Sequence, residues 1–258
     1  MAVPKPDEIY DREREWASLS TFAWDAGNGA TLGLVYGRRR QGKSLLLESL
    51  SAEAGGLYHM ALEQDEALAL RAMGEDLGRH AGAPGAVTLT GWGQAIEALL
   101  ALGTRGQSTT VVLDEFPYLV GASPELPSVV QRAFGPRSSL RARSRTRLIL
   151  CGSALSIMGR LLSGSAPLRG RASLDLLVQP FDFRQSAGFW GLQDRPDLAF
   201  MVHAIVGGTP AYRDLLRSDA PSSRRSFDTW VTRAILDPAS PLFREGRYLM
   251  AEEPGLAD

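Results

Sequence analysis

The chain of 258 residues contains one cysteine, Cys151, so no internal disulfide can form and paired-thiol metal or redox motifs are excluded. With no histidine or second cysteine placed to activate it, Cys151 reads as a small buried hydrophobe. Histidine is nearly as scarce: His59, His80 and His203 lack metal-ligand spacing and read as structural or exposed. Long apolar runs are missing too. Nothing approaches the ~18 residues of a membrane helix, and MAVPKPDEIYDRERE has no signal-peptide core. The expectation is a cytoplasmic protein with no membrane contact. Nor is there an excess of one charge: 28 Lys and Arg face 29 Asp and Glu, a formal net charge of -1. No global field draws such a chain to nucleic acid, and any such contact needs a local patch. Among the basic residues only Lys5 and Lys43 are lysine, so the placement of Lys43 asks for a reason.

What is present is 44% hydrophobic residues, enough for a sizeable core. Apolar runs bounded by Gly, Pro and Ser alternate with helical-period stretches, the pattern of an α/β fold with a mainly parallel sheet. Five strands are expected at Thr31 to Tyr36, Gly56 to Ala61, Thr109 to Leu113, Arg147 to Cys151 and Ala172 to Val178. Crossover helices are expected at Lys43 to Ala54, Glu66 to His80, Trp92 to Leu102 and Leu126 to Phe134. From Phe183 the pattern is helical throughout, over Phe183 to Trp190, Asp197 to Val206, Pro210 to Arg217 and Ser226 to Ile235. The division is therefore a core over 1–182 and a small helical subdomain over 183–258, with a loop at Ala220 to Arg225 and a frayed end at Glu252 to Asp258.

The decisive stretch is Gly37, Arg38, Arg39, Arg40, Gln41, Gly42, Lys43 and Ser44, which matches G-x-x-x-x-G-K-[ST] between an apolar strand and the helical run beginning at Leu45. Such a loop turns successive N–H groups inward around phosphate oxygens, and the following helix adds its positive dipole end. Lys43 would reach the β and γ phosphates, and Ser44 would offer a hydroxyl to Mg²⁺. A second strand, TTVVL, ends in Asp114 and Glu115. Open parallel sheets bind ligands at the carboxyl ends of their strands, so Asp114 would hold Mg²⁺ there and Glu115 would orient or deprotonate an attacking water. A third strand ends at Ser153, which either senses the γ phosphate or only caps the next helix. The arginines at 132, 137, 141, 143, 145 and 147 crowd one connection. They form either a solvated loop or a patch for DNA or an acidic partner, and no aromatic residues for base stacking accompany them.

These motifs resemble the archaeal-type ATPase family, a group of AAA-like P-loop ATPases related to the STAND NTPases. IYDRERE near the amino terminus is similar to the family's hh-G-R-E-x-E signature, with Asp11 where glycine is usual. VYGRRRQGKS, VVLDEFPYLV, LILCGSALSIMGRLL, PLRGR and GGTPAY follow in the family's order, over roughly residues 9 to 250. The resemblance implies a P-loop NTPase core with a helical lid, and ATP rather than GTP as ligand. It implies that Arg171 contacts a γ phosphate or a neighbouring subunit, with a surface arginine at a strand start as the other reading. Arg12 and Glu13 would seat the base side of the nucleotide or clamp the amino-terminal segment. Family members usually continue into winged-helix and nuclease-like domains, which lie beyond the stretch present here.

Three functions are therefore open. One is an ATPase whose binding and hydrolysis close and reopen the lid. Another is a nucleotide-dependent regulatory module, DNA-associated or defence-related, with little turnover of its own. The third is a small-molecule kinase, for which no acceptor pocket is specified. Partner and oligomeric state are left open.

Overall fold

The structure is a computed structural model that describes residues 3–103, 108–153, 155–162, 166–217 and 219–251, so the expected frayed end lies outside the described residues. The chain falls into two compact units, one of residues 1–37 and 43–177, the other of 38–42 and 178–258.

The first unit opens with α1 (Glu13–Ala23), then β1 (Thr31–Tyr36), α2 (Lys43–Glu53), β2 (Leu57–Met60), α3 (Glu66–His80), α4 (Trp92–Ala101) and β3 (Thr109–Asp114). It continues with α5 (Phe116–Ala122), α6 (Leu126–Ala133), α7 (Ser139–Arg143), β4 (Thr146–Gly152), α8 (Leu155–Leu162) and β5 (Ala172–Leu177). The sheet order is β2-β3-β4-β1-β5, and every pairing is parallel. All five carboxyl ends therefore lie along one edge, and β4 alone separates β1 from β3. Parallel strands covered on both faces need apolar side chains on both. The run TRLILCG of β4 is buried at every position, whereas edge strand β5 alternates partly buried and exposed residues. Leu34, Val111, Leu113, Leu148 and Leu150 are at the centre of the core, against Leu70 and Met73 of α3 and Ile96 and Leu99 of α4.

A basic charge sits inside this apolar sheet. Arg147, in β4, is fully buried, and its guanidinium donates to the carbonyls of Asp25, Gly27 and Gly29, to Thr31 Oγ1, and lies 3.6 Å from the Asp25 carboxylate. The 25–29 turn has carbonyls that no strand or helix can satisfy, and a fork of donors satisfies several at once. Burial pushes the Arg147 pKa down, while Asp25 works the other way. Its assignment to a surface patch is thereby corrected: it is a structural strut. In the same segment Arg141 and Arg145 are partly buried and donate to the Ala30 carbonyl and Asn28, leaving Arg132, Arg137 and Arg143 as the exposed members.

The second unit contains α9 (Phe183–Phe189), α10 (Pro196–Val206), α11 (Ala211–Leu215), α12 (Arg224–Val231) running into a π turn at Thr232–Leu236, and α13 (Glu245–Ala251). Capping boxes start α9 at Asp182 with Gln185 and α12 at Ser223 with Ser226. The core of this unit is built around Trp190 and Trp230, packed edge to face at 6.5 Å, with Leu198, Val202 and Phe227 around them. Gly208 is required here because its carbonyl accepts from Phe181 N at 2.8 Å and a Cβ would overlap the Phe181 carbonyl oxygen.

Candidate functional site

The loop from Gly37 to Ser44 leaves the carboxyl end of β1, and α2 begins within it, at Lys43. Gly42 has φ 83 with open space where a Cβ would stand, so backbone conformation selects glycine there. Lys43 is 5% exposed, and its ammonium donates to the Gly37 carbonyl at 2.9 Å, closing the loop on itself. A lysine is not buried without such a partner.

Residues 38–42 belong by their contacts to the second unit. Ala211 N donates to Arg40 O at 3.4 Å, and Gln41 Nε2 donates to Thr209 Oγ1 at 3.3 Å. The Arg40 guanidinium is held by the buried carboxylate of Glu245, which also accepts from Tyr212 Oη at 3.0 Å. Arg40 thus contributes backbone rather than side chain to the loop. Arg38 is exposed, Arg39 partly buried, and Leu45 turns outward.

Asp114 ends β3 and is 1% exposed. One carboxylate oxygen, Oδ1, accepts from Glu115 N at 2.8 Å; the other, Oδ2, accepts from the phenol of Tyr58 at 2.7 Å. The Ser44 hydroxyl is a further hydrogen-bonding neighbour of that phenol. Tyr58 therefore bonds Asp114 and has Ser44 as a neighbour, across segments far apart in sequence. Burial, then the Asp114 charge, raises the Tyr58 pKa well above its usual value, so it stays a neutral donor. Cys151, on the intervening β4, is fully buried; burial and then Asp114, with which its thiol hydrogen-bonds, push its pKa up, and Lys43 opposes them.

Glu115 adopts a left-handed conformation, φ 51, immediately before α5. Its carboxylate oxygens lie 3.3 and 3.2 Å from Ser153 Oγ at the end of β4. The structure thus brings Lys43, Ser44, Asp114, Glu115 and Ser153 to the carboxyl edge around β4.

Arg12 is buried and ion-paired with Glu15 at 2.7 Å, and Glu8 reaches Ser49 of α2 at 3.1 Å, so this segment clamps onto the core. Asp11 and Arg12 have φ 53 and 71, which is the conformational reason a glycine suits the position of Asp11. Arg171 is not brought to the site. Ala172 pairs with Leu32 near the start of β1 whereas Leu177 pairs with Tyr36 at its end, so Arg171 lies at the amino edge of the sheet. A cleft of about 1030 Å³ along α1 and β5, lined by Glu13, Trp16, Trp24, Ser20 and Ser173 among others, includes no residue of the 37–44 loop and neither Asp114 nor Glu115.

The donor set suits a hard divalent cation. Ser44 and Asp114 offer oxygen, and among the described residues no group of three or more His, Cys, Asp or Glu is arranged for a metal. A cation here would take its other ligands from water and phosphate, as Mg²⁺ does. Tyr58 was not visible as a site residue in the sequence, because the signal is the β2–β3 pairing Tyr58 with Val112 and Met60 with Asp114, which no local pattern encodes.

The fold is shared with solved archaeal proteins. The Walker-type ATPase of Pyrococcus abyssi superposes with TM-score 0.55 at 23% identity, covering 81% of this chain and 66% of that one. The ORC2 protein of Aeropyrum pernix, solved as ADPNP–ADP complexes, gives 0.59 at 15% identity, covering 88% and 66%. An uncharacterized protein of Methanocaldococcus jannaschii is 26% identical over 208 residues, 80% of this chain, which spans only 44% of that relative. The family described as an ATPase domain predominantly from Archaea matches residues 9–212, and with its motifs in order on this sheet the chain belongs to that family.

Proposed function

We propose that the protein binds ATP with Mg²⁺ at the loop of residues 37–44 and hydrolyses it to drive a conformational switch. The observation that carries this reading is the convergence of Lys43, Ser44, Asp114 and Glu115 at the carboxyl edge of the sheet, with the Tyr58 phenol bonded to Asp114 and neighbouring Ser44. The amides of the loop and the start of α2 would cradle the phosphates, and the Lys43 ammonium would exchange the Gly37 carbonyl for phosphate oxygens. Ser44 and Asp114 would hold Mg²⁺, which supplies charge neutralisation on the phosphate oxygens. Glu115 would accept a proton from the attacking water. Ser153, donating to Glu115, holds that carboxylate in place.

The switch reading rests on the loop itself. Residues 38–42 are bonded to Thr209, Ala211 and Glu245 of the helical unit, so a loop reshaped by phosphate would pull on that unit. Steady-state ATP hydrolysis tests the proposal: turnover that drops in both Lys43→Ala and Glu115→Gln supports it, and turnover equal in all three proteins refutes it.

A regulatory module with little turnover of its own is the second reading. It is favoured by the hydrogen bond from Ser153, which turns the Glu115 carboxylate toward the end of β4; in this reading a partner redirects it. Hydrolysis that appears only when DNA or a protein partner is added distinguishes this reading from the first.

A further inference from the structure

We infer that Tyr58 is a positioning residue that presents the oxygen lone pairs of Ser44 and Asp114 to the divalent cation. The inference rests on the nucleotide reading above and adds to it a residue from outside the sequence motifs.

A phenol has one proton to donate and lone pairs to accept with. The Tyr58 proton goes to Asp114 Oδ2 at 2.7 Å, which leaves the phenol oxygen open to accept from the neighbouring Ser44 hydroxyl. A Ser44 proton turned toward that oxygen would leave the serine's lone pairs to anything on its other side. Asp114 Oδ1 is fixed by Glu115 N at 2.8 Å, so both carboxylate oxygens are held and the plane of the group is set. The ring sits on β2, which pairs directly with β3, so the tyrosine is anchored by the sheet that carries Asp114. Outer groups that orient metal ligands in this manner control affinity without touching the metal.

The test is the metal dependence of nucleotide binding, measured by titrating ATP into wild type, Tyr58→Phe and Lys43→Ala in EDTA and at rising Mg²⁺. The Phe variant keeps the ring, and circular dichroism with a thermal melt establishes that it is folded. In Tyr58→Phe, metal-free ATP affinity should stay within about twofold of wild type, while the Mg²⁺ concentration for half-maximal enhancement rises about tenfold or more. An unchanged or lowered half-saturation overturns the inference, the latter because the phenol would then be competing with the cation. Equal weakening with and without Mg²⁺ also overturns it, since that marks a merely structural tyrosine. Wild type that binds no nucleotide refutes the nucleotide reading itself, and this inference falls with it; wild type whose binding Mg²⁺ enhances, unaffected by the tyrosine substitution, refutes the inference alone.

Discussion

Replacing Arg147 with methionine separates a structural arginine from a surface one. The guanidinium donates at 2.6 to 3.2 Å to the carbonyls of Asp25, Gly27 and Gly29, all from a residue with no exposed surface. Methionine fills the stem of the space but donates nothing. Each carbonyl left without its charged donor costs about 1–3 kcal/mol, and water entering the exposed side of the turn recovers part of that. The net expectation is a loss of about 3–5 kcal/mol, the range for breaking a buried charged network. For a chain of this size that corresponds to a fall in Tm of about 10 °C. Urea denaturation followed by circular dichroism reads the free energy, with a thermal melt alongside. Stability within about 1 kcal/mol of wild type would refute the reasoning. Equal stability combined with weaker DNA binding would instead return Arg147 to the surface patch.

Three further outcomes follow from the same geometry. Glu115→Gln keeps the shape and removes the base, so kcat for ATP hydrolysis should fall by about 10²–10⁴ while ATP affinity is retained, as a single-turnover assay and a binding titration together report. Gly208→Ala forces a Cβ onto the Phe181 carbonyl and should destabilise the helical unit by about 2 kcal/mol or more, which tryptophan fluorescence during denaturation reads through Trp190 and Trp230. The Cys151 thiol, buried and pushed up in pKa, should resist a thiol reagent in the native protein even at pH 8 and react fully once the chain is unfolded in denaturant; rapid native labelling would contradict its burial.

The sheet was legible because its strands are bounded apolar runs, and α3 begins and ends where periodicity predicts, at Glu66 and His80. Its start is marked by Asp65, whose side chain accepts from Leu68 N. Helix α1 was not anticipated, and the reason is local. Its amino-terminal flank is Arg12 in a left-handed conformation with no side-chain cap, so the usual start signal is missing. Helix α5 is similar, starting from left-handed Glu115, a geometry set by the end of β3 rather than by propensity. The motif at residues 37–44 and the strand-end acid Asp114 stand out in the sequence, and the structure puts both at strand carboxyl ends, because each is a contiguous pattern. Tyr58 and the Arg40–Glu245–Tyr212 set do not stand out, because they depend on which strands pair and which loops meet. Arg147 shows the converse limit: an arginine among arginines reads as surface charge, and only the carbonyls around it reveal its place.

The central claim is that residues 37–44 form a phosphate cradle whose metal is held opposite by Asp114. Calorimetric titration of ATP with Mg²⁺ into wild type and Lys43→Ala tests it most directly. The account predicts saturable binding by wild type and binding weaker by about tenfold or more in the variant, the loss expected for one charged phosphate contact. Wild type without a binding isotherm, or the same affinity in both proteins, would contradict it.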